Sequence, residues 1–173
     1  MAVYEKYSFS RTKALASRYA HAHTGKPVPF EKGLNMLETE TTVMEDGTPR
    51  GSVTGAVSRR FRKFFPFFLT SPDPILFPIG GINMNYMKAR FALEEPNLVF
   101  GLSAFMTNLV DMMNYIRNNW QMIVEDIEKG TINKDVCEER SRGAIMPYIK
   151  ANPKRAAELR KIFECPSFPG SGL

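Results

Sequence analysis

The sequence predicts an α/β fold, a small mixed sheet flanked by helices. Three observations lead there. Leu98–Leu102 is a short apolar strand that turns at Ser103 into a long amphipathic helix ending near Gly130, one strand-to-helix half of an α/β unit. Leu34, Met36 and the threonines Thr39, Thr41 and Thr42 read as one strand or two strand pieces, followed by an Asp46-Gly47 turn. The chain has 173 residues, 43% of them hydrophobic and 24% charged, which suits one globular domain with its own core and excludes a disordered chain.

The elements follow in order. Val3–Ala22 has helical spacing, with Val3, Tyr7, Ala14, Leu15 and Tyr19 near one stripe, and Pro27 and Pro29 end it. After the Asp46-Gly47 turn, Gly51–Val57 is small and rich in hydroxyls, a loop that permits close backbone approach to a ligand or another element. Ser58–Leu69 mixes Arg59, Arg60, Arg62 and Lys63 with five phenylalanines, and Pro66 interrupts any helix there. Ser71–Pro78 reads as a loop with a short strand at Ile75–Phe77, and Ile82–Leu93 as a helix anchored by Met84, Met87 and Phe91. In the long helix, Ser103 is the expected N-cap. Phe105, Leu109, Val110, Met113, Ile116, Trp120, Ile123, Val124 and Ile127 form the expected buried stripe. Asn108, Asp111, Arg117, Asn118, Gln121, Glu125 and Glu128 occupy the wet face, the acids Glu125, Asp126 and Glu128 spread over the solvent face and the helix end, and Gly130 sits where a left-handed cap belongs. Asn133 caps a further helix towards Ala144, and Asn152-Pro153 opens one running to about Phe163. Residues 1–164 form the expected α/β unit, and 165–173 a disordered tail.

The bulk properties narrow the function classes. A net charge of +5 permits anionic partners without demanding them. Cys137 and Cys165 lack metal-ligand spacing and suggest thiols in a reducing compartment. No window reaches the roughly 18 apolar residues of a membrane span, and the polar N-terminus has no apolar signal core, so a cytoplasmic protein is expected. Ten methionines and thirteen phenylalanines suit either an ordinary core or an apolar pocket.

Several stretches invite a site. His23–Pro27 lacks the full phosphate-loop spacing and reads as a turn between elements. His21 and His23 point apart on a helix, poor geometry for one metal. No nucleophile–base arrangement is evident, so no catalytic residue and no metal ligand is assigned. The alternating cations and rings of Arg59–Phe68 could serve a non-catalytic module that binds nucleic acid or membrane. The simpler expectation is that the rings plug the core while the cations face water. The best ligand candidate is composite: the Ser52–Val57 loop and the Phe100–Phe105 turn meeting across a sheet. Ser52, Thr54 and Ser103 would supply hydroxyls, Phe100 and Phe105 apolar walls, and helix N–H groups a preference for carboxylate or phosphate. Ordinary strand-end packing explains the same residues equally well.

At these residues the chain resembles a known family. DGTPRGSVTGAV, then NLVFGLSAFMTNLVDMMNYIRNNWQMIVEDIEKGTI, is similar to the auxin-responsive acyl acid amido synthetases, adenylate-forming enzymes of the firefly luciferase-like type. The resemblance spans roughly Tyr4–Glu164 and lies in the order and texture of elements. It implies an ATP-dependent ligase: a carboxylic acid is joined to AMP with release of pyrophosphate, then passed to an amine, usually an amino acid, with Mg²⁺ offsetting phosphate charge. It also implies an acid pocket lined by Ser52, Val53, Thr54, Gly55, Phe100, Ser103 and Phe105, with Arg11 gripping a carboxylate. The family's phosphate loop precedes the helix where this chain starts, and its Tyr-Gly adenylate motif follows the helix where it ends. The expectation is therefore an interior fragment that supplies acid-pocket walls, adenylates nothing alone and binds neither ATP nor Mg²⁺ by itself. A truncated sheet would leave an open edge and apolar surface, so a homodimer is expected.

Overall fold

A computed structural model of the chain describes residues 31–165, apart from Glu38, Glu40 and Ile79. The helix read for Val3–Ala22, with Arg11, His21 and His23, and the 166–173 tail lie outside the described residues.

The fold is mixed α/β with little sheet. Strand β1 (Lys32–Asn35) pairs in parallel with β4 (Leu98–Leu102), and β2 (Thr41–Val43) pairs antiparallel with β3 (Pro49–Gly51). The expected single mixed sheet is thus two separate pairs among the described residues. The hairpin turns where Asp46-Gly47 predicts: Gly47 has φ +82°, and the Asp46 carboxylate accepts from the Thr48 N–H at 2.9 Å. That bond holds the Asp46 carboxyl below its ordinary pKa.

Between the strands lie helices α1 (Val53–Arg60), α2 (Asp73–Leu76) and α3 (Met84–Glu94). After β4 come α4 (Met106–Lys129), α5 (Glu139–Ile145) and α6 (Pro153–Phe163). Three 3₁₀ segments intervene, at Arg62–Phe67, Lys134–Val136 and Met146–Tyr148. Helix α2 replaces the strand expected at Ile75–Phe77, because Pro72 and Pro74 start a helical turn. Asn133 caps a 3₁₀ turn rather than a long helix, and the chain re-enters a helix only at Glu139.

The core forms where α3, α4 and α6 pack together beneath β1. Tyr86, Met87, Ala89, Ile123, Ile127, Ile145 and Ala156 are completely buried, and Trp120 stacks on Phe163 with ring centroids 5.2 Å apart. A smaller cluster gathers Leu69, Leu76 and Phe77 under Phe65 and Phe68. Helix α4 follows its predicted stripe in its C-terminal half, where Ile116, Ile123, Val124 and Ile127 are buried. Its N-terminal half departs from it: Phe105, Val110 and Met113 are exposed, and Met112 turns inward instead. Asp126, expected on the wet side, is buried. Its carboxylate accepts from the Tyr86 hydroxyl at 2.5 Å, the Thr131 hydroxyl at 2.5 Å and the Asn133 N–H at 3.1 Å. Burial, then that bond, pushes the Tyr86 phenol well above its ordinary pKa.

Gly130 ends α4 at φ +67°, and Asn152 caps α6 by accepting from the Arg155 N–H at 3.1 Å, both as the sequence predicts. Ile82 and Cys137 form an antiparallel bridge, flanked by bonds from the Asn83 N–H to the Val136 carbonyl (2.8 Å) and from the Glu138 N–H to the Gly81 carbonyl (2.9 Å). No disulfide joins Cys137, which is buried, to Cys165, which is exposed. Among the described residues, no helix is long and apolar enough to cross a membrane.

Candidate functional site

The expected hydroxyl-rich loop is a helix start. Ser52 sits in extended backbone, and its hydroxyl accepts from the Gly55 N–H at 2.9 Å, capping α1. Small side chains at Gly51–Val57 therefore serve capping and close packing. A Cβ on Gly55 would stand 3.0 Å from the Thr39 carbonyl oxygen, so the missing side chain lets α1 lie against that backbone. Thr39 is itself tied down, donating its hydroxyl to the Leu76 carbonyl.

This contact places Ser52 on the rim of a cleft of about 370 Å³. One wall is Met36, Leu37 and Thr39, running on from β1; another is Met84, Asn85 and Lys88 on α3; a third is Asn108, Asp111 and Met112 on α4; Ser52 and Pro78 close it. The α3 and α4 residues are spaced i, i+3 or i+4, so each set shares a helix face. Three thioethers (Met36, Met84 and Met112) give a pliable apolar lining. Among the described residues, the polar groups are one cation, one carboxylate, two carboxamides and two hydroxyls. The volume falls within the range of small-molecule sites.

Of the residues singled out from sequence, Ser52 lines this cleft. Thr54 is half-buried nearby, Val53 is exposed and Gly55 is buried against Thr39. Phe100 is buried over β1, its ring filling the space a Gly33 side chain would occupy. Ser103 closes a small turn instead of capping the helix: its hydroxyl donates to the Phe105 carbonyl at 2.8 Å, and Phe105 takes the N-cap position. Phe105 itself is exposed. The structure thus does not bring Phe100, Ser103 or Phe105 to the cleft; the helix they introduce delivers Asn108, Asp111 and Met112. Arg11 lies outside the described residues. Sequence reasoning missed Lys88, Asn85, Asn108 and Asp111. The available signal was Lys88 at helical spacing from Met84 and Asn85 on α3, and Asn108 and Asp111 one turn apart on α4.

The rings of Arg59–Phe68 do not all plug the core. Phe65 and Phe68 do, whereas Phe61, Phe64 and Phe67 are 51%, 59% and 74% exposed. Arg62 pairs with Asp73 and, like Arg59, lies 5.3 Å from the Phe77 ring centroid.

A short parallel strand pair, a strand-to-helix turn and a cleft between α3 and α4 define the class, a mixed α/β domain. The chain belongs to the GH3 family, matching its N-terminal domain over residues 3–170. Among solved structures it is similar to a GH3.15 acyl acid amido synthetase, at 13% identity and a TM-score of 0.64, covering 90% of this chain and 28% of that one. It is also similar to AtGH3.15 acyl acid amido synthetase in complex with 2,4-DB, at 15% identity and a TM-score of 0.63, covering 93% and 28%. The chain thus spans little more than a quarter of the length of these structures. No curated protein matches it.

Proposed function

We propose that this chain forms the acid-binding part of an ATP-dependent ligase that joins a small carboxylic acid to an amino acid, and that the cleft between α3 and α4 receives the acid. The observation that carries this is the meeting of Lys88 with three thioethers in a cleft of about 370 Å³. The Lys88 ammonium would hold the carboxylate, Met36, Met84 and Met112 would take the apolar body, and Asn85 and Asn108 would orient polar substituents. Asp111, on the facing helix, would reject a second negative charge on the ligand.

The family's reaction uses ATP and Mg²⁺. Among the described residues no three His, Cys, Asp or Glu side chains gather to hold a metal, and the cleft carries a single carboxylate. No adenylation step is assigned to the described residues. We infer that the isolated chain binds acids without activating them. Self-association belongs to the same proposal: Phe105, Met106, Val110 and Met113 leave an apolar stripe on α4 open to a second copy.

Calorimetric titration with a panel of aryl and alkyl carboxylic acids, 2,4-DB included, tests the cleft. At least one acid should bind with little dependence on salt. Lys88→Met should weaken it about tenfold, the loss of one charge-assisted hydrogen bond. Unchanged affinity in Lys88→Met would place the acid elsewhere. ATP-dependent pyrophosphate exchange by the isolated chain would overturn the second half, and a concentration-independent monomer in analytical ultracentrifugation would remove the self-association.

A further inference from the structure

The basic aromatic segment has no part in the cleft, yet it is built to protrude. A 3₁₀ helix has three residues per turn, so side chains three apart eclipse and line up on one face, about 6 Å apart along the axis. Phe61, Phe64 and Phe67 have that spacing on Arg62–Phe67 and its cap, and the Phe64 N–H donates to the Phe61 carbonyl at 2.8 Å. Their exposure does not come from fraying. Phe65 packs edge-on against Phe68 at 5.6 Å and stacks on Phe77 at 6.3 Å, anchoring the opposite face. Lys32 donates to the Pro66 carbonyl, and Arg62 pairs with Asp73. Two faces of one short helix thus divide the rings between core and solvent.

The surrounding charge has one sign. Between Gly47 and Pro72 there is no Asp or Glu, while Arg50, Arg59, Arg60, Arg62 and Lys63 all lie there. Arg59, Arg60 and Lys63 are exposed beside the rings. The nearest acid in sequence after them, Asp73, is already engaged by Arg62.

We propose that this face docks on an anionic membrane surface. Phe61, Phe64 and Phe67 enter the boundary between headgroups and acyl chains, and Arg59, Arg60 and Lys63 meet lipid phosphates and carboxylates. The charge favours an anionic surface over a neutral one. The shape favours a bilayer over a nucleic-acid strand: strand binders track the backbone along a groove, whereas this row of rings projects outward and the cleft is lined by other residues. One short helix gives reversible, peripheral attachment.

Co-sedimentation with vesicles of phosphatidylcholine, with and without phosphatidylserine, tests this on the whole chain. Binding is expected only to phosphatidylserine vesicles, falling as salt is raised. The triple variant Phe61→Ser, Phe64→Ser, Phe67→Ser should bind at least about tenfold more weakly at low salt while keeping its circular dichroism. Arg60→Glu with Lys63→Glu should weaken binding through charge alone and leaves every ring in place. Four results would overturn the proposal: no vesicle binding, equal binding to neutral vesicles, triple-variant binding equal to the parent, or ring-dependent binding to single-stranded DNA or to a second copy without vesicle binding.

Discussion

At the residue scale, two positions carry sharp consequences. A Cβ on Gly33 would stand 2.3 Å from Phe100 Cε2, so β1 and β4 approach as they do only because residue 33 has no side chain. Gly33→Ala should cost about 2 kcal/mol in urea unfolding, the usual penalty of overpacking, and Phe100→Leu in the same chain should recover part of it, a non-additivity that marks direct contact. Glu94 is the second. Burial raises its carboxyl pKa, and the nearby Arg90 guanidinium, itself wholly buried and without a hydrogen-bond partner among the described residues, offsets this only partly. A carboxyl whose folded pKa lies above its unfolded value holds its proton longer in the folded state, so stability falls as pH rises from the ordinary carboxyl range through the raised one. Glu94→Gln should flatten that decline and be the more stable protein at neutral pH; a parallel pair of stability–pH curves would refute it. Some of this was readable in the sequence and some was not. Asp126 reads as one of three acids on a wet helix end, and nothing in helical spacing says otherwise. Only the reversal after Gly130, which swings Thr131 and Asn133 back over the last turn, makes it a buried acceptor.

At the scale of elements, boundaries set by caps were legible and faces were less so. Gly130 and Asn152 announce themselves because few residues satisfy a left-handed exit or a free first-turn N–H. Gly130 has a further reason: a Cβ there would meet the Ala151 nitrogen at 2.5 Å, where the chain returns to begin α6. Gly130→Ala should therefore cost more than the ~1 kcal/mol of a left-handed cap alone, and differential scanning calorimetry should show a drop in Tm of several degrees. The buried stripe of α4 was legible only where a partner helix covers it. Its C-terminal half packs under α6, with Arg160 reaching back to Glu128 through two bonds of 3.0 and 2.5 Å. Its N-terminal half has the same period without the same cover. The 3₁₀ segment misled for a different reason: sequence patterns weigh periods of 3.6 and 2, and a period of 3 sorts the phenylalanines onto faces that neither period separates.

At the scale of the whole molecule, the α/β class was legible from one strand-to-helix turn, but the cleft was not. Its three walls come from stretches far apart in sequence, closed by Ser52 and Pro78, and periodicity reports which side of a helix is polar without saying whether that side meets water or another element. Of the site residues read from local texture, Ser52 lines the cleft, and on the α4 side its lining is Asn108, Asp111 and Met112 rather than Ser103 or Phe105. The bridge between Ile82 and Cys137 links this arrangement to time. Cys137 lies beneath the strand-like contact that immediately precedes α3, and burial raises its thiol pKa, so reagent reaches a reactive thiolate only when that contact opens. Cys165 is exposed at the far end and should label at once. The two thiols form a built-in stopwatch: a fast first equivalent marks zero, and the slow second reads how often the entrance to α3 comes apart. Because Met84, Asn85 and Lys88 lie just past that entrance, any acid that must leave the cleft before the contact opens should lengthen the second interval as its concentration rises past its Kd. A ligand that leaves the interval unchanged at saturating concentration is not bound between α3 and α4.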